Sequence, residues 1–355
     1  MNISLLLRPS RNPMFTYIVL GVFAYALVSI FNWNVRNLPH LQQIMFIAIA
    51  IGLYINVASI EIASFKKELK QITAVLVFGV PIKIILPGLA LAWLSPNNVK
   101  IAFLCSTVIA QIDPIIASQS FKNINLKKSS KTILKAWSSF DDPITVLFAF
   151  YIFLPISQGN KFNFIEYFAS HILIDILVIG GTCFVYNKLL KTWYKRFKDE
   201  IITNINKFII GVVFIYSLLA SSFLAPAALG LLIRPFKPSN MDKVISAIAC
   251  FSSIMIGAFA ANSILDWQAG LILAVSMLVA HALATQYLIK ESPRSKLKLM
   301  LSHQNGMTAI LLTIGLEVSG QGMGNLLSIT LPAIILIAFF YLFSNYIIER
   351  RRTYI

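Results

Sequence analysis

The chain has 355 residues, 57% of them hydrophobic and 12% charged, with 30 Lys and Arg against 14 Asp and Glu. A soluble domain is about a quarter charged, so this composition, with a mean hydropathy of +0.77, excludes an ordinary soluble protein. A net charge of +16 would suggest nucleic acid as a partner for a soluble chain. Here the basic residues fall in short gaps between apolar runs, where membrane topology and anionic lipid headgroups account for them, and no nucleic acid is expected. Cys105, Cys183 and Cys250 lie inside apolar runs and form no disulfide framework.

In chain order, apolar runs of spanning length cover 15–31, 40–63, 71–94, 99–121, 130–157, 163–187, 242–264, 267–289, 296–318 and 323–347, with a further apolar block at 207–233. Arg8 and Arg11 precede the first run, but no small-residue cleavage site follows it, so it reads as a span. Basic residues crowd alternate gaps: the N-terminus, Lys66/Lys67/Lys70, Lys122/Lys127/Lys128/Lys131/Lys135 and Lys191/Lys195/Arg196/Lys198. The gaps between these hold only Arg36, Lys100 and Lys161. The positive-inside rule therefore places the N-terminus and the heavily basic gaps in the cytoplasm of a cell-membrane protein. That parity survives to the Arg350–Arg352 tail only if 207–233 crosses twice, and "LLASSFLAPAALG" (218–230) has the small residues and proline of a tight turn. The expectation is an all-α polytopic membrane protein of about 12 transmembrane segments, with both termini cytoplasmic. The stretch 188–206, "KLLKTWYKRFKDEIITNIN", reads as a basic amphipathic linker at the cytoplasmic surface, joining two halves.

Ionisable residues within spans cost about 2.5–3.5 kcal/mol each on insertion scales and default to a functional reading. In "WSSFDDPITVLFAFYIF" (137–153) the apolar run after Asp141 and Asp142 is too short to span. A span needs about 20 residues, so the helix must extend back through Ile133 and Trp137, which puts both acids inside the bilayer. The competing local reading makes Asp142 an N-cap with Pro143 at the first helical position, at an interface. Neighbouring residues on a helix point about 100° apart, so one carboxylate can meet a cation while the other meets a partner. Pro143 donates no hydrogen bond and frees the Ser139 carbonyl. Two adjacent acids in a poor dielectric resist losing both protons, so the pair can hold protons or a metal cation in competition.

Asp113–Pro114 interrupts the span 99–121, and His303, Gln304, Asn305 and Gly306 interrupt 296–318. One broken span in each half of the chain points to an inverted-repeat transporter with two discontinuous crossing helices; an ordinary proline kink is the plainer reading of the first. Two bases lie at depth, Lys83 and His281, and either could be the counter-charge for an aspartate. Snorkelling and a packing histidine are their plainer roles. Asp175, with His171 one turn before it, and Glu61 read as structural or accessory.

The order of these features resembles the monovalent cation/proton antiporter superfamily, which includes the NhaA-like and NhaP-like sodium/proton antiporters. "YINVASIEIASFKKELK" (54–70) resembles the family's G-L-E span end, with Ser59 at the glycine. "IAQIDPIIAS" resembles T-D-P, with Ile112 at the threonine. "WSSFDDPITVLF" resembles E-S-x-x-N-D, with Trp137 at the glutamate and Asp141 at the asparagine, making it a double-aspartate type. "LVAHALATQYL" places His281 where the family has Lys or Arg, and "SHQNGMTAILLTIG" resembles G-L-R-G-A with Asn305 at the arginine.

The resemblance implies that Asp142 binds the cation and exchanges protons, with Asp141 as the second acid, paired with His281 or with Lys83 in its place. It places Asp113 at the crossing of the broken helices and makes Ser138 a source of a ligand oxygen. It implies exchange of Na⁺, with Li⁺ or K⁺ as alternatives, for H⁺ by alternating access. The membrane domain, 1–355, would divide into a transporting core (71–157 and 267–347) and a scaffold (15–63 and 163–264) that makes a homodimer. No cofactor and no enzymatic activity are expected. The readings set against it are an inverted-repeat transporter of another substrate, such as an organic anion, and an intramembrane aspartyl protease. The protease needs its two acids on separate helices and a G-x-G-D motif that this sequence lacks; a channel would need a carbonyl-lined filter that nothing here resembles.

Overall fold

The structure is a computed structural model; it describes residues 13–94, 98–113, 127–157, 164–185, 199–220, 222–236, 238–319 and 326–352. All regular secondary structure among the described residues is helical, as a chain in lipid requires: without water, backbone groups have to be satisfied within the segment. The helices are α1 (Pro13–Phe31), α2 (Leu41–Ala58), the short α3 (Ile62–Lys67) and α4 (Leu69–Leu94). They continue with α5 (Val99–Ile109), α6 (Lys128–Leu147), α7 (Phe164–Phe184), α8 (Asp199–Ala220) and α9 (Leu224–Leu232). The series ends with α10 (Pro238–Ala261), α11 (Trp267–Leu288), α12 (Pro293–Met300), α13 (Met307–Val318) and α14 (Leu326–Arg352). Two helices carry wider, π-helical windings: Val75–Gly79 inside α4, and Phe148–Phe153, through which α6 runs on to Leu154–Ser157.

Among the described residues six helices are long and apolar enough to cross a membrane: α2, α4, α8, α10, α11 and α14. Their packing brings α4 against both α5 and α11, α11 against α14, α2 against α9 and α13, and α1 against α10. Polarity is inverted relative to a soluble protein. Val22, Phe23, Leu177, Phe208 and Leu219 face outward, whereas Lys83, Asp141, Asp142, Asp175, His281 and Asn305 are buried.

The gaps sort onto two ends of the bundle. At one end, Arg36 pairs with Glu317 at 3.0 Å and donates to Ser263 at 3.2 Å, while the Asp266 N–H donates to the Ser328 carbonyl at 2.9 Å. At the other, the Lys290 N–H donates to Gln71 at 2.7 Å, Ser129 donates to Glu291, and Arg234 donates to the Ile60 carbonyl at 2.8 Å. The basic stretches beside Lys66, Lys128 and Lys290 thus share one end, as the alternation of charge predicts.

Residues 207–220 lie in α8, and from Leu224 a second helix returns Arg234 to the basic end. That is the expected turn, but α9 has only nine residues, about 14 Å at 1.5 Å per residue, half the roughly 30 Å of a hydrocarbon core. Of the expected surface linker, 188–198 lies outside the described residues and 199–206 are the opening turns of α8.

Between α1 and α10 the backbones touch: a Cβ at Gly257 would lie 1.9 Å from the Gly21 carbonyl oxygen. Close approach through small residues is how helices associate where the surrounding medium is as apolar as they are. Gly257→Ala must push α1 away, at an overpacking cost of about 1–3 kcal/mol. We expect a fall of several degrees in the thermal midpoint of the detergent-solubilised protein; an unchanged midpoint would show that α1 is not seated this way.

Candidate ion-binding site

The site forms where the end of α5 meets the break between α12 and α13. Helix α5 ends at Ile109 and the chain continues extended to Asp113; Pro114 and the run expected after it lie outside the described residues. Helix α12 ends at Met300, and residues 301–306 lead without helix into α13. Each break satisfies the other. The Asp113 N–H donates to the Gln304 carbonyl at 2.8 Å, and the Asn305 amide donates to the carbonyls of Ile109 at 2.7 Å and Gln111 at 2.9 Å. The carbonyl end of α5, which a broken helix leaves without partners, is therefore capped by one side chain from the opposite break.

Gly306 brings an acid to the start of α13: a Cβ there would lie 1.8 Å from Asp113 Oδ2. No other residue leaves that space. Asp113 thus sits at the positive end of the α13 dipole.

Asp141 and Asp142 lie inside α6, with Pro143 also in the helix, and at 0% and 1% exposure both are buried. The interfacial N-cap reading of Asp142 is ruled out by that placement. As neighbours on a helix must, they face different partners. Asp141 forms an ion pair with Lys83 of α4 and accepts from the Ile112 N–H. Asp142 accepts from the Asn56 amide of α2 at 2.9 Å and from Thr308 in the first turn of α13. So Asp141 is compensated by a full charge, whereas Asp142 meets neutral donors and a helix N-terminus. Thr145 donates back to the carbonyls of Asp141 and Asp142 and accepts from Gln111 at 2.7 Å, tying α6 to the α5 break.

The two candidate bases separate. Lys83 is fully buried, and its ammonium also donates to the Ala110 carbonyl, so it does not snorkel. His281 makes no ion pair with Asp141. Its Nε2 lies 3.0 Å from the Leu299 carbonyl, and its ring stacks on Trp137 and on His303 at centroid distances of 4.8 and 4.9 Å. Lys83 Nζ lies 5.0 Å from the other partner in that column, the Trp137 ring. Ser138 is buried and its hydroxyl donates to the Lys135 carbonyl of its own helix. Gln304 lies in the crossing through its backbone. Glu61 is remote, at the start of α3, where it accepts from Ser64.

A family model described as "Sodium/hydrogen exchanger, transmembrane" matches residues 3–343. The chain belongs to that family. It is a multi-pass membrane exchanger that couples transport of a monovalent cation to protons. No curated protein matches the sequence. Among solved structures, the sodium proton antiporter MjNhaP1 from Methanocaldococcus jannaschii, at pH 8, is similar to the exchanger with a TM-score of 0.66 at 16% identity. The match covers 95% of this chain and 89% of that one, and at this identity it speaks for the fold.

Asn56, Thr308, Gln111 and Thr145 were not singled out from sequence. Asn56 carried a usable signal, since a lone amide between Ile55 and Val57 in a span must find a partner. The threonines carried none, because a hydroxyl can always bond back to its own helix.

Removing one partner of a buried ion pair costs about 3–5 kcal/mol, whereas replacing both with apolar or neutral groups is near neutral. Lys83→Met should therefore strongly destabilise the exchanger, and Lys83→Met with Asp141→Asn should recover most of the loss in chemical or thermal denaturation. Equal stability of the single and double variants would mean that Lys83 and Asp141 do not form the pair.

Proposed function

We propose that the exchanged cation is Na⁺ and that Asp142 is the group that binds it in alternation with a proton. The observation carrying this is the unequal treatment of the two acids: Lys83 pairs with Asp141, while Asp142 meets Asn56, Thr308 and the α13 N-terminus, with Asp113 nearby and no ion pair of its own among the described residues. A carboxylate without a basic partner in this medium needs either a proton or a cation, and the two therefore compete for one place. Thr308, and Asn56 through its carbonyl oxygen, are suited to complete a set of oxygen ligands. Ser138 would join that set by turning its hydroxyl from Lys135.

Lys83, in place of His281, serves as the basic partner of Asp141. While that pair stays closed, one acid titrates per cycle; if Lys83 releases Asp141, a second proton enters the exchange and the transport moves net charge. Asp113, with Asn305 and the 301–306 link, holds the crossing in shape, and His303 and His281 pack behind it.

Around this centre the chain is read as about 12 segments in inverted repeats with both termini cytoplasmic, since the charged gaps sort by end. Residues 71–157 and 267–347 form the moving core, against a scaffold of 15–63 and 163–264 through which two copies pair. Exchange then proceeds by alternating access as the core moves. The Asn56–Asp142 bond joins scaffold to core, so it must break when they shift.

The test is transport in vesicles under an imposed pH gradient, with Na⁺, Li⁺ and K⁺ added separately. Na⁺ should dissipate the gradient most effectively, and Asp142→Asn should abolish the response; exchange preserved in that variant would refute the assignment. Dependence of the rate on membrane potential, lost in Asp141→Asn, would show that the Lys83 pair opens during the cycle.

A further inference from the structure

The crossing leaves one buried acid unused. Asp175 lies midway along α7 and is 1% exposed. Its Oδ2 accepts from the Tyr151 hydroxyl at 2.5 Å; its Oδ1 accepts from Tyr216 at 3.2 Å and from Ser222. These donors come from three places: the π-helical winding of α6, the last turns of α8, and the break between α8 and α9. Arg36–Glu317 and Lys83–Asp141 are ion pairs among the described residues, and neither involves Asp175.

The surroundings add negative potential. Helix α8 ends at Ala220, and the Ser222 N–H reaches only the Ser217 carbonyl, at 3.1 Å. The carbonyl end of a helix carries about half a negative charge, so Asp175 lies at the wrong end of α8 for an anion. A carboxylate buried among transmembrane helices, beside a helix C-terminus and without a basic partner among the described side chains, is electrostatically incomplete. Broken-helix C-terminal ends with nearby oxygens are where transporters hold Na⁺. The groups present are a carboxylate, two phenol hydroxyls, a serine hydroxyl and the last carbonyls of α8, all hard oxygens suited to an alkali cation. Hydroxyl hydrogens rotate freely. The three donors can therefore turn their lone pairs to an ion once their oxygens part from the carboxylate to admit it.

We propose that Asp175, Tyr151, Tyr216 and Ser222 form a second binding site for a monovalent cation, at the α8–α9 break and separate from the helix crossing. An ion there fastens the π-helical part of α6, four turns of chain or fewer beyond Asp142, to α7, α8 and the start of α9. It is a resident ion that ties the helix of the two aspartates to its neighbours.

The test uses the purified full chain carrying Asp142→Asn, so that the acid of the crossing does not contribute, and measures binding of radioactive sodium. We expect saturable binding, displaced by unlabelled Na⁺ and not by choline, and lost when Asp175→Asn is added. Tyr216→Phe and Ser222→Ala keep the carboxylate and should each weaken binding several-fold. Absence of sodium binding in Asp142→Asn overturns the site, as does binding unchanged by Asp175→Asn. Should Asp175→Asn fail to fold, the hydroxyl variants decide: unaltered affinity in both overturns the site. The result is separable from that at the crossing, because exchange surviving in Asp142→Asn counts against the crossing assignment and leaves the comparison with and without Asp175 intact.

Discussion

A helix broken inside a bilayer exposes backbone groups to a medium that offers no hydrogen bonds, and each unmatched group costs several kcal/mol. The exchanger meets this constraint by bringing the end of α5 against the break between α12 and α13. Asn305 caps the carbonyl end of α5, Gln304 receives the Asp113 N–H, and Gly306 opens room for the Asp113 carboxylate at the start of α13. The crossing is thereby both a repair and an electrostatic device. Backbone donors and acceptors that satisfy one another leave the positive end of α13 facing Asp113 and Asp142. The remaining helices are arranged around it: α4 delivers Lys83, α2 delivers Asn56, and α6 delivers the acids.

Much of this was legible in the sequence because the membrane narrows the alternatives. Span length alone put Asp141 and Asp142 at depth, and Pro and Gly beside polar residues marked 113–114 and 303–306 as breaks. The angular spacing of adjacent residues required the two acids to have different partners, and they do. Charge parity required 207–233 to turn back, and α9 does return the chain to the basic end, in fewer residues than a full crossing needs. These conclusions rest on local chemistry and counting.

What sequence could not supply is which helix stands beside which. Lys83 and His281 are equivalent candidates until α4 is seen to pack against both α5 and α11, with the Trp137 ring between the lysine and the histidine. Trp137 stands where the family resemblance expects a glutamate, and Lys83 reaches Asp141 from α4, a different helix from the α11 that carries His281. The charges at the site are thus distributed differently from the pattern that the resemblance implies. Asn56 is a parallel case, since its meaning depends on the approach of α2 to α6.

The two π-helical windings lie close to the paired charges, at Val75–Gly79 before Lys83 and at Phe148–Phe153 after Asp142. Such a winding lodges an extra residue in a helix without altering the packing at its ends. Each residue added or removed turns everything beyond it by about 100°. Lys83 points at Asp141 by virtue of the register of α4, and the wider turn at 75–79 is where one residue can be lost, by reverting to α-helical winding, while Lys83 keeps its direction. In this fold the direction of a buried charge is held by helix register, and the slack that protects it is one residue of wider winding.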